Sequence, residues 1–280
     1  MSDAGELFPV RVLRSFVEHR GGSQAVLIAW NALTAIFPIA LAVAAVGGLL
    51  LSVAGVTPEA IARQVVTVFP TDVDAQAAAL AGIDGLRKRT LLFAVLALIG
   101  FLWTGSGLFG AMEEAFAVVF GTGTRPFLRQ KLMALAMMGC FAVLALLAVG
   151  TSALLPLLGN IPGFPLSPGT GPLGFAVRTG VGVASGFLLF FAIYYVVPNR
   201  HIPASRVWPG ALFAAVAFEL LSGLFPLYVR INQDINRYGQ QFAFLFVLLT
   251  FFYLLGLITM LGAEIIAELD RPAPRRAGAR

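Results

Sequence analysis

Apolar and polar positions along the chain separate into six long apolar runs joined by shorter polar segments. The runs lie near Gln24 to Val53, Leu91 to Phe116, Leu132 to Leu155, Phe175 to Val197, Val207 to Val229 and Phe242 to Leu269. Each can supply the roughly 20 helical residues that cross a hydrocarbon core of about 30 Å. Strands do not fit: an open sheet edge in lipid leaves backbone groups unpaired, and the runs are too long for barrel strands. The pattern predicts an all-α polytopic membrane protein built as a bundle of six transmembrane helices.

The segments between the runs divide the chain into an N-terminal tail (1–23), a membrane domain (24–269) and a basic C-terminal tail (270–280). The longest connection, 54–90, has Thr57-Pro58 as a helix start, followed by Ile61, Val65, Val68 and Phe69 at helical spacing. A second helix opens at Thr71 to Asp74 and carries Val73, Ala77, Leu80 and Ile83. An amphipathic helical hairpin is expected there, either lying on the membrane surface or covering helix ends. The uncharged stretch from Pro156 to Pro172 is rich in proline and glycine, which predicts a loop or a shallow re-entrant turn. Asn232 to Gln241 is polar and amide-rich, suited to a headgroup or sugar and equally to capping and turns.

Charge orients these helices. Only 12% of the residues are charged, against about 25% in soluble domains. Arg11, Arg14, Arg20, Arg125, Arg129, Lys131, Arg200, Arg206, Arg271, Arg275, Arg276 and Arg280 put twelve cations on one side, leaving seven for the other. Excess Lys and Arg marks the cytoplasmic side, so both termini are expected in the cytoplasm. The net charge of +5 is spread over loop ends and forms no soluble basic platform, which argues against nucleic acid as a partner. Met1 to Gln24 is polar and lacks the pattern of a secretory signal, so the first apolar run is expected to remain in the mature protein.

Candidate chemistry is sparse. Cys140, the single cysteine, can form no internal disulfide, and His19 and His201 stand apart without the spacing of a catalytic metal site. No phosphate-cradling loop is present, and no cofactor is expected. Glu219 lies about 18 Å into the fifth run, near a bilayer midplane, where an acid is costly and faces a bundle interior. It reads as a proton or cation site, or as one hydrogen bond locking two helices.

The second run ends in Trp103 to Glu114, where Gly105, Ser106, Gly107 and Gly110 precede Glu113 and Glu114. Such a cluster can break a helix and expose backbone groups to a polar substrate, or let helices approach through Ser106 and Gly110. Asn31 and Thr34, ahead of Pro38, predict a kink and at most a polar pathway. Gly182 and Gly186 form a packing face. Glu264 and Glu268, four apart, are expected to anchor the last helix through a loop arginine.

Several segments together resemble the YihY/BrkB family of bacterial inner-membrane proteins, formerly labelled ribonuclease BN. They are Trp30-Asn31-Ala32-Leu33-Thr34-Ala35-Ile36-Phe37-Pro38, the Trp103 to Gly110 run, Arg125-Pro126-Phe127, Val197-Pro198-Asn199-Arg200 with Trp208-Pro209-Gly210-Ala211, and Tyr238-Gly239 with Leu261-Gly262-Ala263-Glu264. Trp30-Asn31 and Gln240-Gln241 depart from the family pattern. The resemblance implies a six-helix inner-membrane protein connected with envelope integrity, serum resistance or export of lipid or lipopolysaccharide. It carries a nuclease label that these residues do not support, since acid–base groups and a basic platform are lacking outside the apolar runs.

Two functional readings follow, neither enzymatic. One is a transporter or flippase-like protein for a lipid or other amphiphile, with membrane lipids as partners. Its polar path would use Glu219, Asn31, Thr34, Gly105, Ser106, Gly107, Glu113, Glu114 and Glu264. The other is an envelope scaffold in which the same acids make structural bonds. An intramembrane enzyme is a third class, for which spacing identifies no nucleophile and base.

Overall fold

The computed structural model describes residues 6–36, 92–159, 172–231 and 240–271; within these stretches the chain forms helices, with short connections at 19–20, 121–126 and 197–203. Among the described residues the helices are α1 (Phe8–Glu18), α2 (21–36), α3 (Leu92–Phe120), α4 (Phe127–Gly159), α5 (Pro172–Val196), α6 (Ala204–Ile231) and α7 (Gln240–Asp270). Three stretches within them are long and apolar enough to cross a membrane: Thr179–Val196, Ala204–Val229 and Leu245–Asp270. The expected hairpin at 54–90, the kink at Pro38 and the Tyr238-Gly239 motif lie outside the described residues.

Local chemistry sets the helix ends. α3 stops at Gly121, whose φ of 61° is the left-handed geometry in which glycine ends helices without strain. α5 begins on Pro172, where a missing N–H costs nothing. Two expectations need correcting. Pro156 does not open a loop: α4 continues through it to Gly159, because one proline removes one hydrogen bond and can bend a helix without ending it. α6 likewise holds Pro209 and Pro226. The polar tail is also more than a tail, since residues 8–18 form the amphipathic helix α1.

α7 is the hub. It packs against α1, α3 and α6, and its Gly256 lies against the backbone of Ala25 in α2. Gly210 of α6 meets the carbonyl oxygen of Gly262 in α7, and the Tyr194 hydroxyl covers Gly262, so these backbones approach where no side chain intervenes. Tyr194 is fully buried and donates to the Thr259 carbonyl at 2.8 Å, which ties α5 to α7. An aromatic spine links the helices, with ring centroids of Phe116 and Tyr194 5.7 Å apart, Phe190 and Phe218 6.1 Å, and Phe218 and Phe251 6.4 Å. α6 shows the sidedness of such a bundle: Val207, Ala211, Ala214 and Ala215 are buried, whereas Leu212, Val216, Leu220, Leu224 and Leu227 face outward.

Candidate functional site

Glu219 sits 15 residues after the start of α6 and 12 before its end, about 22 Å and 18 Å from the two ends. It follows Ala215 by one helical turn and therefore shares the face that packs on α5. Gly182 of α5 makes room for it: a methyl group there would come within 2.5 Å of Oε2 and 2.8 Å of Oε1. One turn on, Gly186 lies against Ala215, with its would-be methyl at an ordinary 3.5 Å. Two features separate in the sequence, a mid-helix acid and a glycine face, are thus one feature in space. The half-buried Glu219 carboxylate makes no hydrogen bond or ion pair among the described residues.

A second polar group gathers where α2, α3 and α4 meet. Asn31 of α2 places Oδ1 at 3.0 Å from where a Gly107 methyl would stand, so glycine is what admits this amide. Asn31 donates to the Leu27 carbonyl at 2.9 Å, and the Thr34 hydroxyl donates to the Asn31 carbonyl at 3.0 Å. On α3, Ser106 and Gly110 face α4, where Lys131 Nζ donates to Ser106 Oγ at 2.6 Å and the Gln130 amide lies over Gly110. α3 runs unbroken through Gly105, Gly107 and Gly110, so the glycine run admits neighbours and does not interrupt the helix.

The remaining acids are clasped. Glu113 is fully buried, and its Oε1 accepts from the Arg125 backbone N–H at 2.8 Å and from the Arg125 guanidinium at 3.2 Å. The same guanidinium donates to the carbonyls of Val196, Val197 and Pro198 at 3.1, 2.6 and 2.9 Å. It thereby caps the negative end of α5. Asn199 donates to the Gly123 carbonyl at 3.0 Å, closing the same junction. Glu114, next to Glu113 in sequence, is exposed.

At the end of α7, Glu268 meets Arg11 of α1 at 2.7 Å and Arg271, just after α7, at 2.6 Å. Among the described residues Glu264 pairs with no arginine; its Oε1 lies 2.7 Å from Nδ1 of His19, while its Oε2 is buried without a partner among them. Asp270 binds Arg200 at 2.6 Å and also Arg206. Arg125, His19 and Asp270 were not singled out as bonding partners by sequence reasoning. The one available signal was that Arg125-Pro126-Phe127 and Val197-Pro198-Asn199-Arg200 both belong to the resemblance motifs, and the fold brings them together. Among the described residues no group of three His, Cys, Asp or Glu could hold a metal ion.

Comparison with known proteins places this architecture. A family model described as Virulence factor BrkB matches residues 12–280. The chain belongs to the BrkB family. It is similar to the ribonuclease-like protein YfkH of Bacillus subtilis, at 33% identity over 34% of this chain and 35% of that protein. It is similar also to a UPF0761 membrane protein of Azotobacter vinelandii, at 39% identity over 29% of this chain and 20% of the relative. A third relative, the UPF0761 membrane protein IL2447 of Idiomarina loihiensis, is 31% identical over 32% of each chain. The matched stretches therefore span about a third or less of these relatives' length. No solved structure matches the chain. BrkB membership together with the apolar helices makes this a membrane protein.

Proposed function

We propose that this BrkB-family protein moves a lipid or another amphiphile across the bacterial inner membrane in maintenance of the envelope, with Glu219 as the polar station on the route. The observation that carries this reading is the Glu219 carboxylate, held halfway along α6 over Gly182 without a partner among the described residues. An unpaired acid at membrane depth is costly, and such acids serve substrate, ion or proton pathways far more often than packing. Asn31, Thr34, Gly105, Ser106 and Gly107 would form a second polar stretch of the route. Glu113 and Glu264, clasped by Arg125 and His19, are structural in this reading, and Glu114 plays no part.

In the proposed topology α2 to α7 are six spans with both termini in the cytoplasm, following the arginine excess at the ends of α5 and α7. The protein is not proposed as an enzyme; the ribonuclease-like name belongs to YfkH. An envelope scaffold is the second reading, favoured by the four acids that the fold ties to arginine or histidine toward helix ends. The discriminating experiment follows movement of fluorescent phospholipids between the leaflets of liposomes carrying wild type or Glu219→Gln. Movement by wild type and its loss in the variant supports the transport reading; no movement across several lipid classes favours the scaffold.

A further inference from the structure

α1 presents more apolar surface than α7 covers. Val12 and Ser15 are buried and Phe16 packs on the core, so this face belongs to the protein interior. Val10, Leu13 and Val17 form a second apolar stripe, 49%, 57% and 73% exposed. Their spacing of three and four places them on one side of the helix, within about 60° at 100° per residue. Arg11, Arg14 and Glu18 fill the neighbouring sector, and Arg14 Nε pairs with Glu18 at 3.0 Å.

The level of α1 along α7 decides what meets the stripe. Arg11 contacts Glu268 and His19 contacts Glu264. About 12 Å along α1 thus corresponds to about 6 Å along α7, so α1 crosses the last turns of α7 obliquely and does not extend alongside it. Those turns close the apolar stretch Leu245–Asp270, so α1 lies at the end of a helix long and apolar enough to cross a membrane. The chain then turns at Arg20, whose φ of 54° is left-handed, and the Phe16 ring lies over Gly21. α2 follows at once and carries the outward-facing Val26, Leu27 and Trp30, so the stripe is continuous in sequence with another outward apolar surface.

We infer that α1 is an interfacial helix whose partner is a lipid surface: Val10, Leu13 and Val17 insert among the acyl chains of one leaflet while Arg14 and Glu18 stay at headgroup level. The inference is independent of whether the protein moves lipid. Its test uses a Cys140→Ala background and the single variants Val10→Cys, Leu13→Cys, Val17→Cys and Glu18→Cys. Each carries an environment-sensitive fluorophore, in vesicles of phosphatidylethanolamine and phosphatidylglycerol at high lipid-to-protein ratio. The three stripe positions should give blue-shifted emission and lose intensity to lipids bearing a nitroxide on a shallow acyl carbon, whereas Glu18→Cys should do neither. Stripe positions that remain unshifted and unquenched would overturn the inference. So would a blue shift without lipid quenching together with disulfide-linked dimers of Leu13→Cys, which would assign the stripe to a second copy of the chain.

Discussion

Two kinds of carboxylate coexist in this fold. Toward helix ends, Glu113, Glu264, Glu268 and Asp270 each face Arg or His: Glu113 meets Arg125 in the connection that follows its own helix, whereas Glu264, Glu268 and Asp270 tie α7 to His19, to Arg11 of α1 and to Arg200 and Arg206. Halfway along α6, Glu219 faces a glycine. The difference teaches that an acid in an apolar sequence has no role until its neighbour is known. With a cation it is a clasp, and removing the cation strands a buried charge. Beside glycine it has room for its own carboxylate and no cation to hold it, which is the basis of the role proposed for Glu219.

The comparison can be sharpened by removing partners, and the largest effect is expected at Arg125. Arg125→Ala leaves Glu113 buried and uncaps α5, so it should cost about 3–5 kcal/mol. Thermal unfolding in detergent should show a large loss of folded protein. Gly182→Leu forces a side chain into the space of the Glu219 carboxylate and should cost about 1–3 kcal/mol through overpacking; Gly180→Leu, with open space around it, should not. His19→Ala removes the partner of Glu264, whose other oxygen already lacks one. A loss of about 1–3 kcal/mol is expected, read as easier proteolysis of the α1 region. Arg14→Ala breaks exposed pairs with Glu6 and Glu18 and should change stability by about 0.5 kcal/mol or less. An Arg14 effect equal to that of Arg125 would erase the distinction between clasp and surface pair.

Much of the helical layout was legible because apolar runs in lipid have few alternatives to helices. Observed ends such as Pro172 and Asp270 fall within a few residues of the runs that announced them. What could not be read was partnership. Glu219 and Gly182 were both visible, yet they lie on different helices, and only packing joins them. Arg125 looked like one more orienting cation because its bonds reach 71 to 73 residues ahead. His19 looked isolated because Glu264 is 245 residues away. α1 was hidden for another reason: its apolar residues are divided between two faces, so no single long apolar run marks it, although Val10, Leu13 and Val17 carry the helical spacing.

The most direct measurement pairs Glu219→Gln with Glu113→Gln, scoring for each both the melting temperature in detergent and phospholipid movement in liposomes. Glu219→Gln should retain the wild-type melting temperature and lose lipid movement, while Glu113→Gln should melt earlier and keep lipid movement in the fraction that remains folded. A Glu219→Gln protein that moves lipid at the wild-type rate, or that melts as early as Glu113→Gln, would contradict the division of these acids into one working group and several clasps.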